Sequence, residues 1–207
     1  KGKAFAQACN FSAPWQTAKT KVLLWGESHA EHLIPIINAA IDGKSISVSF
    51  AYSVALAEKC AAPVGDPYKF TFTNVPTYSR DCALFKENIL TFLSENKDIT
   101  YVVIAGFWPS VIGHIFTNEV PEGNGRTGVK LLQQSLSEIM ARASTPNRKI
   151  VLVGDVPLFL GTRPALCNTQ DPTPILRRPC AGQSKGESLE KFTAEQGLIV
   201  DAFNSLR

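Results

Sequence analysis

The sequence predicts an α/β fold, a three-layer α/β/α sandwich with a mostly parallel sheet. Short apolar stretches typical of strands alternate along the chain with longer amphipathic stretches typical of helices. Two strand stretches, TYVVIA at 100–105 and KIVLVG at 149–154, are apolar throughout, as expected for parallel strands covered on both faces. The 207 residues are 44% hydrophobic and 19% charged, which suits one domain with a sizeable core.

The predicted elements follow the chain in order. Residues 1–20 are polar and irregular, and we assign them to a lead-in segment or linker before a domain at 21–207. A buried strand at 21–25 precedes a helix at 28–41, in which Pro35 either kinks the helix or marks its start. Further strands are predicted at 45–50, 100–105, 149–154 and 198–201, and further helices at 81–96, 127–142 and 187–196, with Gly197 as the cap of the last helix.

Charge and hydropathy exclude several classes of protein. The net charge of +3 is mild, and no basic cluster with a nucleic-acid-binding signature occurs, so we expect no nucleic-acid partner. No apolar run in the chain reaches the length of a membrane span, and no signal-peptide pattern opens it. The chain lacks an initiator Met and resembles an excised domain, so any membrane tether would lie outside it.

The five cysteines indicate disulfides. Cys60 and Cys82 bracket one Pro-rich loop, and Cys167 and Cys180 bracket another. Closing such loops covalently contributes on the order of 3 kcal/mol. No zinc-type spacing is present, so we predict Cys60–Cys82 and Cys167–Cys180 disulfides in an oxidising compartment, with Cys9 left over. Five reduced thiols in a cytosolic protein are the alternative.

Ser28 follows the first strand in the turn GESHAEH. In open parallel sheets the ligand site lies beyond the carboxyl ends of the strands, where Trp108 and Asp155 are also expected. As a structural residue, Ser28 would cap the helix and form a capping box with Glu31. As a nucleophile, it would project from a constrained corner at a helix N-terminus that favours a developing oxyanion.

Several stretches carry a family resemblance. VLLWGESHAEHL resembles the first block of the SGNH or GDSL esterases, in which GDS presents the serine nucleophile. The variant GDSHAxHL is characteristic of SGNH domains attached to membrane acyltransferases of family three, which O-acetylate bacterial surface polysaccharides. YVVIAGFWPS, IVLVGDVPLF and the cysteine-bracketed segment after them are similar to later parts of that subgroup. The resemblance runs from about residue 21 to residue 201 and implies a flavodoxin-like sandwich.

The resemblance implies a function for Ser28. It would accept an acetyl group from a membrane acyltransferase domain of the same polypeptide and pass it to a carbohydrate hydroxyl. The N–H groups of Ser28 and Gly106 would form the oxyanion hole, with Glu27, His29 and His32 in support. No metal or bound cofactor is implied, because acetyl-CoA would be consumed on the membrane side. The domain would be periplasmic or extracytoplasmic.

The sequence departs from the family pattern at the general base. Glu27 replaces the usual Asp before the serine, and no histidine of this chain follows an Asp in the family's Asp-x-x-His spacing. Asp201 matches a strand-end Asp, and the corresponding stretch ends in Asn204, which cannot act as a base. We expect the base either beyond Arg207 or lost, with His32 as an alternative within the chain.

The remaining side chains on this edge are candidates for substrate binding. Trp108, at a strand end, is a candidate sugar-stacking platform, and His114 in the following loop is a candidate substrate contact, with solvent exposure as its alternative. Trp25 is expected in the core. Two other functions stay open: a stand-alone carbohydrate O-acetyl esterase, and an inactive SGNH-like binding domain in which Ser28 only caps a helix.

Overall fold

A computed structural model describes residues 7–52, 69–70, 77–106, 108, 115–116, 126–154 and 189–206. Within these ranges the strands are β1 Gln7–Ser12, β2 Thr20–Gly26, β3 Ile46–Tyr52, β4 Lys69–Phe70, β5 Ile99–Ala105, β6 Ile115–Phe116 and β7 Lys149–Val153. The helices are α1 Ser28–Glu31, α2 Ile34–Ile41, α3 Thr77–Glu95, α4 Arg126–Ala143 and α5 Leu189–Asn204. None of these helices combines the length and apolar character needed to cross a membrane.

The main sheet has the strand order β1-β3-β2-β5-β7, and the predicted mostly parallel sheet is confirmed. Strands β3, β2, β5 and β7 run parallel, whereas β1 pairs antiparallel with β3 at the edge. Part of the segment at 1–20, which was expected to be irregular, is therefore a strand. Gln7–Ser12 pairs with β3, and no local pattern in the sequence indicates this pairing. β4 and β6 form a separate antiparallel pair.

Helices pack on both faces of the main sheet. Successive strand residues point to opposite faces, so Leu23 and Trp25 join one core while Leu24 joins the other. The first core includes buried residues of α3, α4 and α5, and the second includes Ala30 of α1 and Ile41 of α2. The predicted core position of Trp25 is confirmed. Each fully buried leucine or isoleucine of these cores contributes about 2 kcal/mol.

The predicted helix at 28–41 is two helices. α1 ends at Glu31, and α2 begins at Ile34 with Pro35 in its first turn, where the missing proline N–H costs no hydrogen bond. α2 leads into β3 through a tight turn in which Lys44 N donates to Ile41 O at 2.9 Å. Gly43 has φ +67 there, which a glycine adopts without strain.

The predicted strand at 198–201 is wrong, because α5 continues through Gly197 to Asn204. Ile199 and Ala202 are buried, and their three-residue spacing places both on the helix face that meets the core. Gly197 costs the helix only about 1 kcal/mol, which this packing offsets. Asp201, expected at a strand end, is an exposed helix residue.

Arg148 lies between the ends of two helices and the start of β5, and is only 6% exposed. Its guanidinium donates to four backbone carbonyl oxygens at 2.8 to 3.0 Å. The acceptors lie at the C-terminal ends of α3 and α4 and in β5, where helix carbonyls lack partners within the helix. They are the carbonyls of Leu93, Asn96, Ile99 and Ala143.

The predicted disulfides fall largely outside the described residues. Cys60, Cys167 and Cys180 are not among them, while the backbone of Cys82 lies in α3 and that of Cys9 in β1. Both pairings stay predictions.

Candidate active site

The carboxyl ends of β2, β5 and β7 meet at one edge of the sheet. Gly26 lies opposite Ala105, and Ala105 lies opposite Val153. A Cβ added at Gly26 would lie 2.0 Å from the carbonyl oxygen of Ala105 and 2.5 Å from Cβ of Ala30. Only glycine therefore fits between β5 and α1, and this close approach fixes the short turn that carries Glu27 and Ser28.

Glu27 is the N-cap of α1. Its backbone is extended, with φ −118 and ψ −152, and its carboxylate oxygen Oε2 accepts a hydrogen bond from the backbone N–H of His29 at 3.1 Å. The Glu31 N–H donates to the backbone oxygen of Glu27 at 3.1 Å. The interpretation of Ser28 as the cap in a capping box with Glu31 is therefore wrong, because the preceding carboxylate occupies the capping position.

Ser28 is the first residue of α1 and is half-buried. Its hydroxyl donates to Oε2 of Glu27 at 2.8 Å. A serine hydroxyl has one proton to donate, so this proton is directed to Glu27 and not to a histidine. In this structure the Ser28 hydroxyl is thus directed to Glu27 and not to His32, and a role of His32 as the base stays a prediction.

A small cavity adjoins the turn, with a volume of about 120 Å³. One wall comes from α1 and α2, and the other from the ends of β5 and β7. The half-buried His29 and the exposed His32 both line it, and their ring centroids are 5.7 Å apart. Ser28 is not a lining residue, but lies at the start of the helix that supplies these two imidazoles. The other lining residues are Leu33, Ile36, Ala105, Gly106, Val153 and Gly154.

Gly106 directly follows β5 and lines this cavity. Its carbonyl oxygen accepts a hydrogen bond from Trp108 N at 2.9 Å. Since Ala105 is paired with Gly26, the Gly106 peptide lies at the same sheet edge as Glu27 and Ser28. The structure thus brings the two predicted oxyanion-hole residues to a common edge, and their joint role stays a prediction.

Trp108 is not a surface platform. Its side chain is fully buried at 0% exposure, and its indole N–H donates to the carbonyl oxygen of Val153 at 2.7 Å. The ring meets Phe203 of α5 edge to face, with centroids 5.2 Å apart. The predicted sugar-stacking role is therefore wrong: the indole joins β5, β7 and α5 in the core, as buried tryptophans with a satisfied N–H commonly do.

Two other predicted residues of this edge, His114 and Asp155, lie outside the described residues. In the part of the chain that the structure describes, no three His, Cys, Asp or Glu side chains come close enough to hold a metal ion. The sequence predicts Glu27 as a supporting residue of the site, but not as the N-cap of α1. Its signal was its place directly before both the serine and the helix start.

Comparison with known protein families identifies a match for this chain. The family model described as "SGNH domain (fused to AT3 domains)" matches residues 1–207. No curated protein and no solved structure matches the chain significantly. The family match covers the whole chain, and the sheet of mostly parallel strands with a serine at the carboxyl end of β2 agrees with it. The chain therefore belongs to the family of SGNH domains that are fused to AT3, or acyltransferase 3, domains.

Proposed function

We propose that this domain transfers an acetyl group through Ser28 to a hydroxyl of a bacterial cell-surface polysaccharide. The observation that carries the proposal is the hydrogen bond from the Ser28 hydroxyl to the buried Glu27 carboxylate, at a helix start on the carboxyl edge of the sheet. Membership of an SGNH family fused to AT3 domains supports an acyl-related reaction on a hydrolase fold.

The reaction would proceed in two steps through an acyl-enzyme. In the first, Oγ of Ser28 attacks the acetyl carbonyl carbon, the bond to the donor's leaving group breaks, and the hydroxyl proton goes through a base to that leaving group. In the second, a carbohydrate hydroxyl attacks the acetyl-serine, loses its proton, and releases Ser28 with its hydroxyl restored. The N–H groups of Ser28 and Gly106 would hold the oxyanion of each tetrahedral intermediate.

The acetyl donor would be a membrane acyltransferase domain of the same polypeptide, which would consume acetyl-CoA, so the SGNH domain itself would need no bound cofactor. The AT3 fusion recorded for the family supports this arrangement. The domain would then work in the periplasm or another extracytoplasmic space, where its carbohydrate acceptor is found.

The Asp-x-x-His base of related enzymes does not occur in these 207 residues, so the test requires the full-length protein.

Labelling with a serine-directed fluorophosphonate tests the nucleophile. We expect the full-length protein to be labelled and Ser28→Ala to lose the label entirely. Ser94→Ala is the matched control, because Ser94 is exposed at the end of α3 and hydrogen-bonds only within that helix. A folded, full-length wild-type protein that takes no label would contradict the proposal and support an inactive binding domain.

Product analysis tests the acceptor. Incubation of membranes containing the full-length protein with acetyl-CoA and surface polysaccharide should give O-acetylated polysaccharide in the wild type and none in Ser28→Ala. Release of free acetate from an acetylated carbohydrate, without transfer, would identify an esterase instead.

A further inference from the structure

We propose that Glu27 is the positioning residue for the nucleophile, and that its carboxylate holds the Ser28 hydroxyl in its reactive orientation. This inference rests on the proposed function of Ser28. Glu27 would then orient the nucleophile in addition to capping α1.

At the start of α1, Glu27 is the N-cap, and the Ser28 hydroxyl makes a different hydrogen bond. A serine at a helix N-terminus commonly turns its oxygen toward a backbone N–H of the first turn. Here Glu27 accepts the His29 N–H, so the Ser28 oxygen is not used as the cap. The hydroxyl instead acts as a donor, to the same carboxylate. Both lone pairs of Oγ are thereby left on the side away from the donated proton.

One carboxylate oxygen of Glu27 accepts the hydrogen bonds of both Ser28 and His29. Oε2 of Glu27 lies 2.8 Å from Oγ of Ser28 and 3.1 Å from N of His29. The residue is only 2% exposed, so water does not compete freely for this oxygen. Because the His29 N–H is fixed by the helix, it fixes the carboxylate oxygen, and that oxygen in turn selects one rotamer of Ser28.

The hydrogen bond between Ser28 and Glu27 joins a neutral hydroxyl to a carboxylate. A hydrogen bond from a hydroxyl to a carboxylate is charge-assisted and about twice as strong as one between neutral groups. It shifts electron density toward Oγ, which favours attack on a carbonyl carbon. Glu27 therefore orients and polarises the hydroxyl, while another group removes its proton.

The experiment compares two substitutions at position 27 in the full-length protein, with the second-order rate of fluorophosphonate labelling as the readout. Glu27→Gln keeps an oxygen of the same reach that accepts both donors. Glu27→Ser keeps a good N-cap, but its oxygen lies too close to the backbone to orient Ser28. We expect the labelling rate of Glu27→Gln to stay within about tenfold of the wild-type rate. The labelling rate of Glu27→Ser should be at least about tenfold lower than that of Glu27→Gln. Glu31→Gln, an exposed change in the same helix, is the control and should leave the rate unchanged.

The labelling rate is normalised to folded protein, determined from the thermal unfolding of each variant. If Glu27→Ser does not fold, Glu27→Asn replaces it as a second short N-cap. Equal rates in all folded variants would show that Glu27 only caps α1 and would overturn the inference. Loss of labelling in Glu27→Gln as great as in Glu27→Ser would also overturn it, because the negative charge, and not the placing of an acceptor oxygen, would then be what the reaction requires. Absence of label in the wild type would instead contradict the role of Ser28 itself.

Discussion

At the scale of single residues, Gly26 decides how closely the serine turn approaches the sheet. The nearest obstacle to a side chain there is the carbonyl oxygen of Ala105, a backbone atom that cannot move aside without disturbing β5. The second is Cβ of Ala30 in α1. A side chain at position 26 would push Glu27 and Ser28 away from the strand ends.

Gly26→Ala should therefore lower the free energy of unfolding by about 3 kcal/mol, as overpacking does in a tight interior. Gly197→Ala is the matched control: an added Cβ meets nothing within 4 Å in α5, and alanine favours a helix by up to about 1 kcal/mol. Urea unfolding of both variants checks the pair. Equal stabilities of Gly26→Ala and the wild type would contradict the packing seen at this turn.

At the scale of elements, Arg148 joins the C-terminal ends of α3 and α4 to β5. Burial lowers the pKa of its guanidinium, and the nearby Asp98 carboxylate opposes this effect by raising it. Two ion pairs link the same two helices: the buried Lys86 with the partly exposed Glu138 at 2.7 Å, and the exposed Arg142 with Glu87 at 2.7 Å. The exposed pair contributes little, and Lys86 makes one hydrogen bond to Glu138 whereas Arg148 makes four to backbone oxygens, so we expect Arg148 to dominate this junction.

Arg148→Met should destabilise the protein by about 2–4 kcal/mol, because four carbonyl oxygens at a buried junction would lose their donor. Lys149→Met, a change at the exposed neighbouring residue, should alter the stability by less than about 0.5 kcal/mol. Denaturant unfolding measures both. A small effect at Arg148 would mean that water replaces the guanidinium without cost.

At the scale of the whole molecule, the sheet order places β2 in the middle and β1 at an edge. β2 has a paired strand on each side and buried residues from Leu23 to Gly26, whereas β1 pairs only with β3 among the described strands. Opening of β1 therefore breaks one ladder and leaves both cores in place.

Amide hydrogen exchange should be slowest in β2 and β5 and at least tenfold faster in β1, because local opening is easiest where few buried contacts are lost. Exchange measured by mass spectrometry on overlapping peptides would show this order. Protection of β1 equal to that of β2 would mean that the edge strand opens only with the whole sheet.

The sequence by itself determined the alternation of strands and helices, the parallel sheet and the position of Ser28 at a strand end. These features follow from the spacing of apolar residues and from continuous apolar runs, which are local signals in the sequence. It did not determine β1 or the length of α5. β1 forms because it pairs with β3, which lies far along the chain. α5 extends to Asn204 because the apolar residues after Gly197 pack against the core as a helix.

Tertiary structure alone also decided the environment of the candidate site. A tryptophan after a strand is compatible with a sugar platform or a core residue, and only the contacts of Trp108 with Val153 of β7 and Phe203 of α5 assigned it to the core. Serine and glutamate at a helix start can each act as the cap. The structure makes Glu27 the buried cap and directs the Ser28 hydroxyl to the same carboxylate oxygen. The roles of these side chains depend on which polar groups are buried away from water, and the order of residues along the chain does not show this.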